Sequence, residues 1–350
     1  MQHGVLEAQP THFFISDNAS PAHPRVMEAL AAANLGHAPS YGADPYTQAA
    51  EAAFDRLFGR KVRTFFVFNG TGANSAALSA LARPYQSILC ADTAHIHCDE
   101  CGAPERMSGA KLQPIPSTDG KLRPGQLSPY MPYLGVMHHA QPAVLSITQA
   151  TELGTVYTQE ELCALTRFAH AHTLKVHMDG ARIANAVASL GCTLAELTWQ
   201  AGVDVLCFGG TKNGLLFGEV VVFFDDALAE AFAYIRKNCG QLASKMRYIA
   251  AQYLALLQDD LWLQNAVRAN AMCKRLADGL VGLPGVCLTQ PAQANELFVR
   301  MPRQAVEPLQ RVRPFIMWDA EQGVARLVTS WDTDEADVDA FLDACRKVIV

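Results

Sequence analysis

The 350-residue chain has little of what marks a nucleic-acid or membrane protein. Its charge is modest, with 28 Lys and Arg against 34 Asp and Glu for a formal net charge of -6, and it has no basic run. An electrostatic footprint for nucleic acid or an anionic membrane is therefore missing. Long apolar stretches are missing too: Leu215 to Phe224, the longest, is interrupted by Gly218 and Glu219 and falls short of the ~20 residues that span a bilayer. Met1 to Glu7 shows neither the basic region nor the apolar segment of a signal peptide, so secretion and a membrane anchor are not expected. Cysteine is present without pattern. The 10 cysteines lie between Cys90 and Cys345 at irregular spacing and read as small buried apolar residues of a reducing, cytoplasmic protein. The partner left standing is a small molecule or another subunit.

Half of the chain is hydrophobic, enough for a large core and about two domains. Short β-branched or aromatic runs recur at Thr64 to Phe68, Ser87 to Cys90, Val144 to Thr148, Leu174 to Met178, Val203 to Phe208 and Val220 to Phe224. Between them lie helical patterns such as Asn74 to Ala82 and Glu160 to His172. This rhythm predicts an α/β fold whose sheet is mainly parallel, because parallel strands need crossover connections. After about Ser244 the pattern changes to a long helical stretch, Tyr248 to Leu280, then strands at Glu296 to Met301 and Arg326 to Thr329 and a last helix from Glu335. The division expected is an N-terminal arm (1–19), a large domain (20–245) and a smaller α+β domain (246–350). Proline is dense from Pro114 to Pro142, which reads as a long ordered surface connection.

In an open parallel sheet, ligands sit beyond the carboxyl ends of the strands, so residues just after strands carry most weight. Asn69-Gly70-Thr71-Gly72-Ala73-Asn74 follows one strand and opens a helix, aiming backbone N–H groups at an anion. Asp179 ends another strand in His177-Met178-Asp179-Gly180-Ala181-Arg182, and Lys212 follows the next in Gly209-Gly210-Thr211-Lys212. Singly, Asp179 would be a helix cap and Lys212 a solvated loop lysine. Together they supply what pyridoxal phosphate requires, a carboxylate for its pyridine nitrogen and an amine for its aldehyde. A nicotinamide dinucleotide is the rival, since Asp92 follows Gly70-x-Gly72 at a suitable distance, but Ser75 stands where the third glycine belongs and Lys212 has no part in that scheme.

Taken with Ser16-Asp17-Asn18, Tyr41-Gly42-Ala43-Asp44-Pro45, Ala94-His95 through Glu100, Met246-Arg247 and Arg326-Leu327-Val328-Thr329, these runs resemble the low-specificity L-threonine aldolases almost end to end. That family belongs to the fold-type I, aspartate-aminotransferase-like group of pyridoxal phosphate enzymes. The resemblance implies a large domain with a mainly parallel seven-stranded sheet, a smaller C-terminal domain, and a homodimer or homotetramer with shared active sites. It implies retro-aldol cleavage of L-threonine, L-allo-threonine and related β-hydroxy-α-amino acids, phenylserine among them, to glycine and an aldehyde. Lys212 would bond the cofactor's aldehyde, Asp179 would meet its pyridine nitrogen, and Gly70, Thr71, Gly72 and Thr211 would surround it. His95 would stack on its ring. Arg182, Arg326 and Ser16 would lie near the substrate carboxylate or cofactor hydroxyl, and Arg247 would aid the phosphate, from a neighbouring subunit if need be.

One position departs from the family pattern. Where many members carry a second histidine, this chain has Thr151-Glu152-Leu153-Gly154, so Glu152 takes its place and a two-histidine account of hydroxyl deprotonation does not transfer. His95 is the leading base candidate and Glu152 the other. The cluster His95-x-His97-Cys98-x-x-Cys101 looks like metal ligands, but no second pair accompanies it; buried cysteines beside a stacking histidine are expected and no metal. His138-His139 and His170-x-His172 read as surface features, and Trp262, Trp318 and Trp331 as core. A β-eliminating lyase shares the same acid and lysine and is the nearest alternative activity.

Overall fold

The computed structural model describes residues 12–349, so the first eleven residues of the expected N-terminal arm lie outside the described residues. The larger sheet contains β1 (Arg63–Val67), β2 (Gln86–Ala91), β3 (Lys111–Ile115), β4 (Gln141–Thr148), β5 (Lys175–Gly180), β6 (Val205–Gly209) and β7 (Glu219–Phe223). Their order is β1-β7-β6-β5-β4-β2-β3. The pairs β2/β3, β2/β4, β4/β5 and β5/β6 are parallel, while β7 runs antiparallel to β1 and β6. These strands are apolar on both faces because helices cover both. Along β7, Val220 and Val222 join Phe54, Phe208 and Tyr253 in one core cluster, whereas Val221 and Phe223 pack with Phe65 and Phe232 in another.

The strand β3 has no counterpart among the hydrophobic runs. It lies at the sheet edge and contains Pro114, which lacks the N–H a central ladder would need, so its sequence reads as connection rather than strand. The rest of the proline-dense stretch forms a short helix, Pro124–Leu127, and a 3-10 turn, Ser128–Tyr133.

A second, antiparallel sheet holds β8 (Cys287–Leu288), β9 (Glu296–Arg300), β10 (Ile316–Asp319) and β11 (Val324–Val328) in the order β10-β11-β9-β8. Its core draws Leu297 and Leu327 together with Leu276, Phe341 and, from the N-terminal arm, Phe14. The expected helical stretch from Tyr248 to Leu280 consists of two helices, Arg247–Leu257 and Leu261–Leu280. They are separated at Asp259 and Asp260, whose φ of 54° and 53° are left-handed values that short polar side chains tolerate. The first of these helices buries Ile249, Tyr253 and Leu256 in the core of the larger sheet.

Two expectations about burial need correction. Cys90, Cys207, Cys273 and Cys345 are buried, but Cys98, Cys101 and Cys287 are exposed. Cys98 ends a four-residue helix and donates to the Asp92 carbonyl, and Cys101 sits in a turn with φ of 51°. Of the three tryptophans read as core, Trp262 is buried at 4% exposure while Trp318 is 41% exposed. Trp331 is half-buried, its indole N–H donating to the Pro21 carbonyl.

Candidate active site

The carboxyl ends of β1, β2, β4, β5 and β6 converge on a pocket of about 230 Å³ lined by Gly70, Thr71, His95, Glu152, Asp179, Arg182, Thr211 and Lys212. Two glycines permit that convergence. A Cβ on Gly209 would overlap the Ala181 backbone, and one on Gly180 would lie 2.6 Å from Leu206 Cδ1, so a larger residue at either place would push β5 and β6 apart. Because β7 is antiparallel, its first residue, Glu219, comes to the carboxyl end of β6 opposite Gly209 and joins the lining.

Asp179 is held by hydrogen bonds to both oxygens: Oδ1 accepts from the Ala181 N–H at 2.9 Å and Oδ2 from Asn74 Nδ2 at 2.7 Å. Asn74 stands on the helix Gly70–Leu81, whose cap is Asn69; Asn69 Oδ1 accepts from the Gly72 N–H at 2.8 Å. In the first turn of a helix the N–H groups have no intrahelical acceptor, so Gly70 and Thr71, which line the pocket, bring to it two N–H groups able to meet an anion. Gly72 does not line the pocket; its missing side chain makes room for Gln241, which also accepts from the Phe68 N–H at 2.9 Å.

Lys212 lies on the 3-10 turn Thr211–Asn213 and has no hydrogen-bond or ion-pair partner among the described residues. Beside it, Thr211 Oγ1 accepts from the Gly218 N–H at 3.1 Å, and Glu219 Oε2 accepts from the Gly210 N–H at 2.8 Å. Burial pushes the Glu219 carboxyl up to about 7.

His95 opens a short helix after β2. Its Nδ1 is 2.9 Å from Glu100 Oε1, and its backbone N–H donates to Glu152 Oε1 at 2.8 Å. The Glu100 hydrogen bond raises the imidazole pKa, burial opposes it, and the Asp179 charge adds to the rise. Glu152 Oε1 also accepts from Thr148 Oγ1 at 2.7 Å, while Oε2 is buried without a partner among the described residues. Burial pushes this carboxyl up to about 7, only partly offset by those hydrogen bonds.

Arg182 links the end of β5 to the N-terminal turn carrying Asp17 and to β9 of the smaller sheet. Its Nε and Nη2 donate to the two oxygens of Asp17 at 2.7 and 2.9 Å, and Nη1 stands 3.2 Å from Glu296 Oε2. Burial alone would push Arg182 down, but the Asp17 and Glu296 charges outweigh it and raise its pKa. Burial likewise works against the Asp17 charge, yet Arg182 holds that carboxyl below its ordinary value. Arg326 lies behind Glu296, with Nη1 3.9 Å from its Oε1, and does not line the pocket. Ser16 lies outside as well: its hydroxyl accepts from the Asn18 N–H and caps the turn carrying Asp17. Arg247 is also remote from the lining, donating to the Gly36 carbonyl at 3.0 Å.

The dinucleotide and metal readings find no support in this geometry. Asp92 is taken up by the N–H and hydroxyl of Ser117, each at 3.0 Å, and does not line the pocket. Among the described residues, no three His, Cys, Asp or Glu side chains are grouped to hold a metal ion.

Comparison with known proteins agrees with this geometry, for the beta-eliminating lyase family profile matches residues 14–303. The chain belongs to the beta-eliminating lyase family. Within it, the chain is 47% identical to the low specificity L-threonine aldolase of Pseudomonas aeruginosa over 326 residues, 93% of this chain and 94% of that one. A second such enzyme, from another Pseudomonas, is 46% identical over 337 residues, covering 96% and 97% of the two chains. A solved threonine aldolase from Leishmania major superposes with a TM-score of 0.92 at 28% identity, over 97% of this chain and all of that one. An aspartate aminotransferase from Thermus thermophilus, at 15% identity and a TM-score of 0.69 over 97% and 92% of the two chains, shares the fold.

Among the lining residues of this beta-eliminating lyase family member that carry no role in the reading of its motifs are Asn74, Glu100 and Glu219. Asn74 and Glu100 close the runs Gly70 to Asn74 and Ala94 to Glu100, so their positions were marked but their function was not. Glu219 had appeared only as a charge interrupting an apolar run. A carboxylate inside a strand otherwise buried is itself a signal, because such a group needs a local reason to be there.

Proposed function

We propose that this protein is a pyridoxal phosphate-dependent L-threonine aldolase that cleaves L-threonine, L-allo-threonine and related β-hydroxy-α-amino acids to glycine and an aldehyde. The observation that carries the reading is the unpartnered Lys212 in one pocket with a doubly hydrogen-bonded Asp179 and the helix N-terminus at Gly70 and Thr71. The donor set fits the cofactor at three places. Lys212 Nζ would bond its aldehyde, Asp179 would face its pyridine nitrogen, and the N–H groups of Gly70 and Thr71 would hold its phosphate. When bound, the cofactor supplies an electron sink for the pair released as the Cα–Cβ bond breaks.

The protein's own groups then divide the work. Asn74 keeps the Asp179 carboxylate aimed into the pocket. His95, whose Nδ1 is engaged by Glu100, would cover the cofactor ring and offer Nε2 to the substrate. Glu152 Oε2 takes the proton of the substrate's β-hydroxyl: it is buried, unpartnered, and raised by burial to about 7, where a carboxylate works as a base near neutral pH. Arg182 is already forked onto Asp17, so it offers the substrate carboxylate the charge of a fixed guanidinium rather than a free two-pronged clamp. Thr211, through Gly218, fixes the turn that carries Lys212.

This reading includes a cytoplasmic location and a homodimer or homotetramer. Among the described residues no helix is long and apolar enough to cross a membrane, in keeping with such a location. Arg247 sits outside its own chain's pocket, which suits a role toward a neighbouring subunit. Incubating the purified, cofactor-loaded protein with L-threonine tests the activity directly. Glycine and an aldehyde are expected; ammonia and a keto acid would instead assign it to β-elimination. Relative turnover of L-threonine, L-allo-threonine and L-phenylserine then measures how far the β-carbon configuration matters.

A further inference from the structure

A continuous hydrogen-bonded line crosses the back of the pocket. Asn74 Nδ2 donates one hydrogen to Asp179 Oδ2 at 2.7 Å and the other to Glu100 Oε1 at 2.8 Å, and Glu100 Oε1 also meets His95 Nδ1 at 2.9 Å. The Glu100 side chain is fully buried, whereas His95 retains 38% of its side-chain exposure, so the acid is the fixed member of the pair and the imidazole the open one. A buried carboxylate with a free second oxygen is costly unless its arrangement serves a purpose.

We propose that Glu100 is a positioning residue for His95: it holds the proton on Nδ1 and the ring over the pocket, leaving Nε2 as the nitrogen presented to substrate. This rests on the reading that His95 works inside the pocket. The physical logic is that of any histidine oriented by an acid, in which the hydrogen bond at one nitrogen fixes the tautomer and so the chemistry at the other. Asn74 adds a second consequence. With both amide hydrogens committed, it ties Glu100 to Asp179 and makes the orientation of the His95 ring depend on the group that faces the cofactor's pyridine nitrogen.

Four charged groups face His95: Glu100 from the turn after its own helix, Glu152 after β4, Asp179 on β5 and Lys212 after β6. Glu100 contributes the largest upward influence on the imidazole, so removing its charge should be felt there first. The test is Glu100→Gln, which keeps the shape and loses the charge, read by pH-dependent exchange of histidine C2–H followed by mass spectrometry, with and without cofactor. The His95 midpoint is expected to fall by about one pH unit. In threonine cleavage kcat should fall about tenfold with little change in KM, and Glu100→Asp should restore only part of it. A His95 midpoint unchanged in Glu100→Gln overturns the proposal, whatever the turnover. A lowered midpoint with normal kcat upholds the hold of Glu100 on the ring and contradicts instead the work assigned to His95. Should the variant not fold, the unmodified protein still decides: nitrogen-15 NMR of the neutral His95 ring showing the proton on Nε2 rather than Nδ1 would overturn the proposal.

Discussion

The two walls of the pocket differ in how completely their carboxylates are satisfied. On the cofactor wall, both oxygens of Asp179 accept hydrogen bonds, and Thr211 and Glu219 are tied to backbone N–H groups. On the opposite wall, Glu152 Oε2 and Glu100 Oε2 are buried without partners among the described residues. Leaving a buried polar atom unpaired costs roughly 1–3 kcal/mol, so two such carboxylates lining one cavity are not incidental. The satisfied wall is a finished support for a cofactor. The unsatisfied one keeps lone pairs open for hydroxyls and protons that arrive with substrate.

The largest effect should come from Lys212, a pocket cation with no partner among the described residues. Lys212→Ala is expected to abolish the visible absorbance of bound cofactor and to lower threonine cleavage by several orders of magnitude. A variant retaining both would break the assignment of the satisfied wall. Next, Glu152→Gln keeps a group able to accept from Thr148 and the His95 N–H but cannot take a proton; kcat should fall on the order of 10²- to 10⁴-fold. The acid limb of the pH–rate profile, set near 7 by this carboxyl, should vanish with it. A limb that persists would move the base elsewhere.

Smaller effects probe the Arg182 link and the support. Asp17→Ala leaves the buried Arg182 with Glu296 alone and should cost about 3–5 kcal/mol of stability, read as a lowered Tm. The buried acids also set a pH slope. Glu152 and Glu219 have carboxyls raised from 4.5 to about 7, so the folded protein holds their protons more tightly than the unfolded chain. Their contribution to stability is complete below about 4.5 and disappears as pH rises through about 7. Glu219→Gln should therefore flatten the fall of Tm between about pH 5 and pH 8; an unchanged slope would show that Glu219 carries no such shift.

The satisfied wall was the legible one. Asp179, Gly70 and Lys212 each follow a short apolar run, and the parallel sheet brings such residues to one edge whatever lies between them. The open wall was harder to read because its relations are made by turns. Glu100 reaches His95 from the turn that ends a helix of only four residues, and Glu152 depends on Gly154, with φ of +71°, packing against the Glu296 carbonyl. No periodicity announces either arrangement. The same reasoning explains Arg182, whose motif was clear while its partner Asp17 was hidden in a run far along the chain. The fold was hidden where local signals conflicted with position, at Pro114 in edge strand β3 and at Asp259 and Asp260 between two helices, and where strands are as short as β8 and β10.

The central claim is that Lys212 and Asp179 share one cofactor. Reducing the cofactor-loaded protein with borohydride and mapping the peptides tests it most directly. The account predicts a single stable cofactor adduct on the peptide carrying Lys212, absent from Lys212→Ala; an adduct on another lysine, or none, would contradict it.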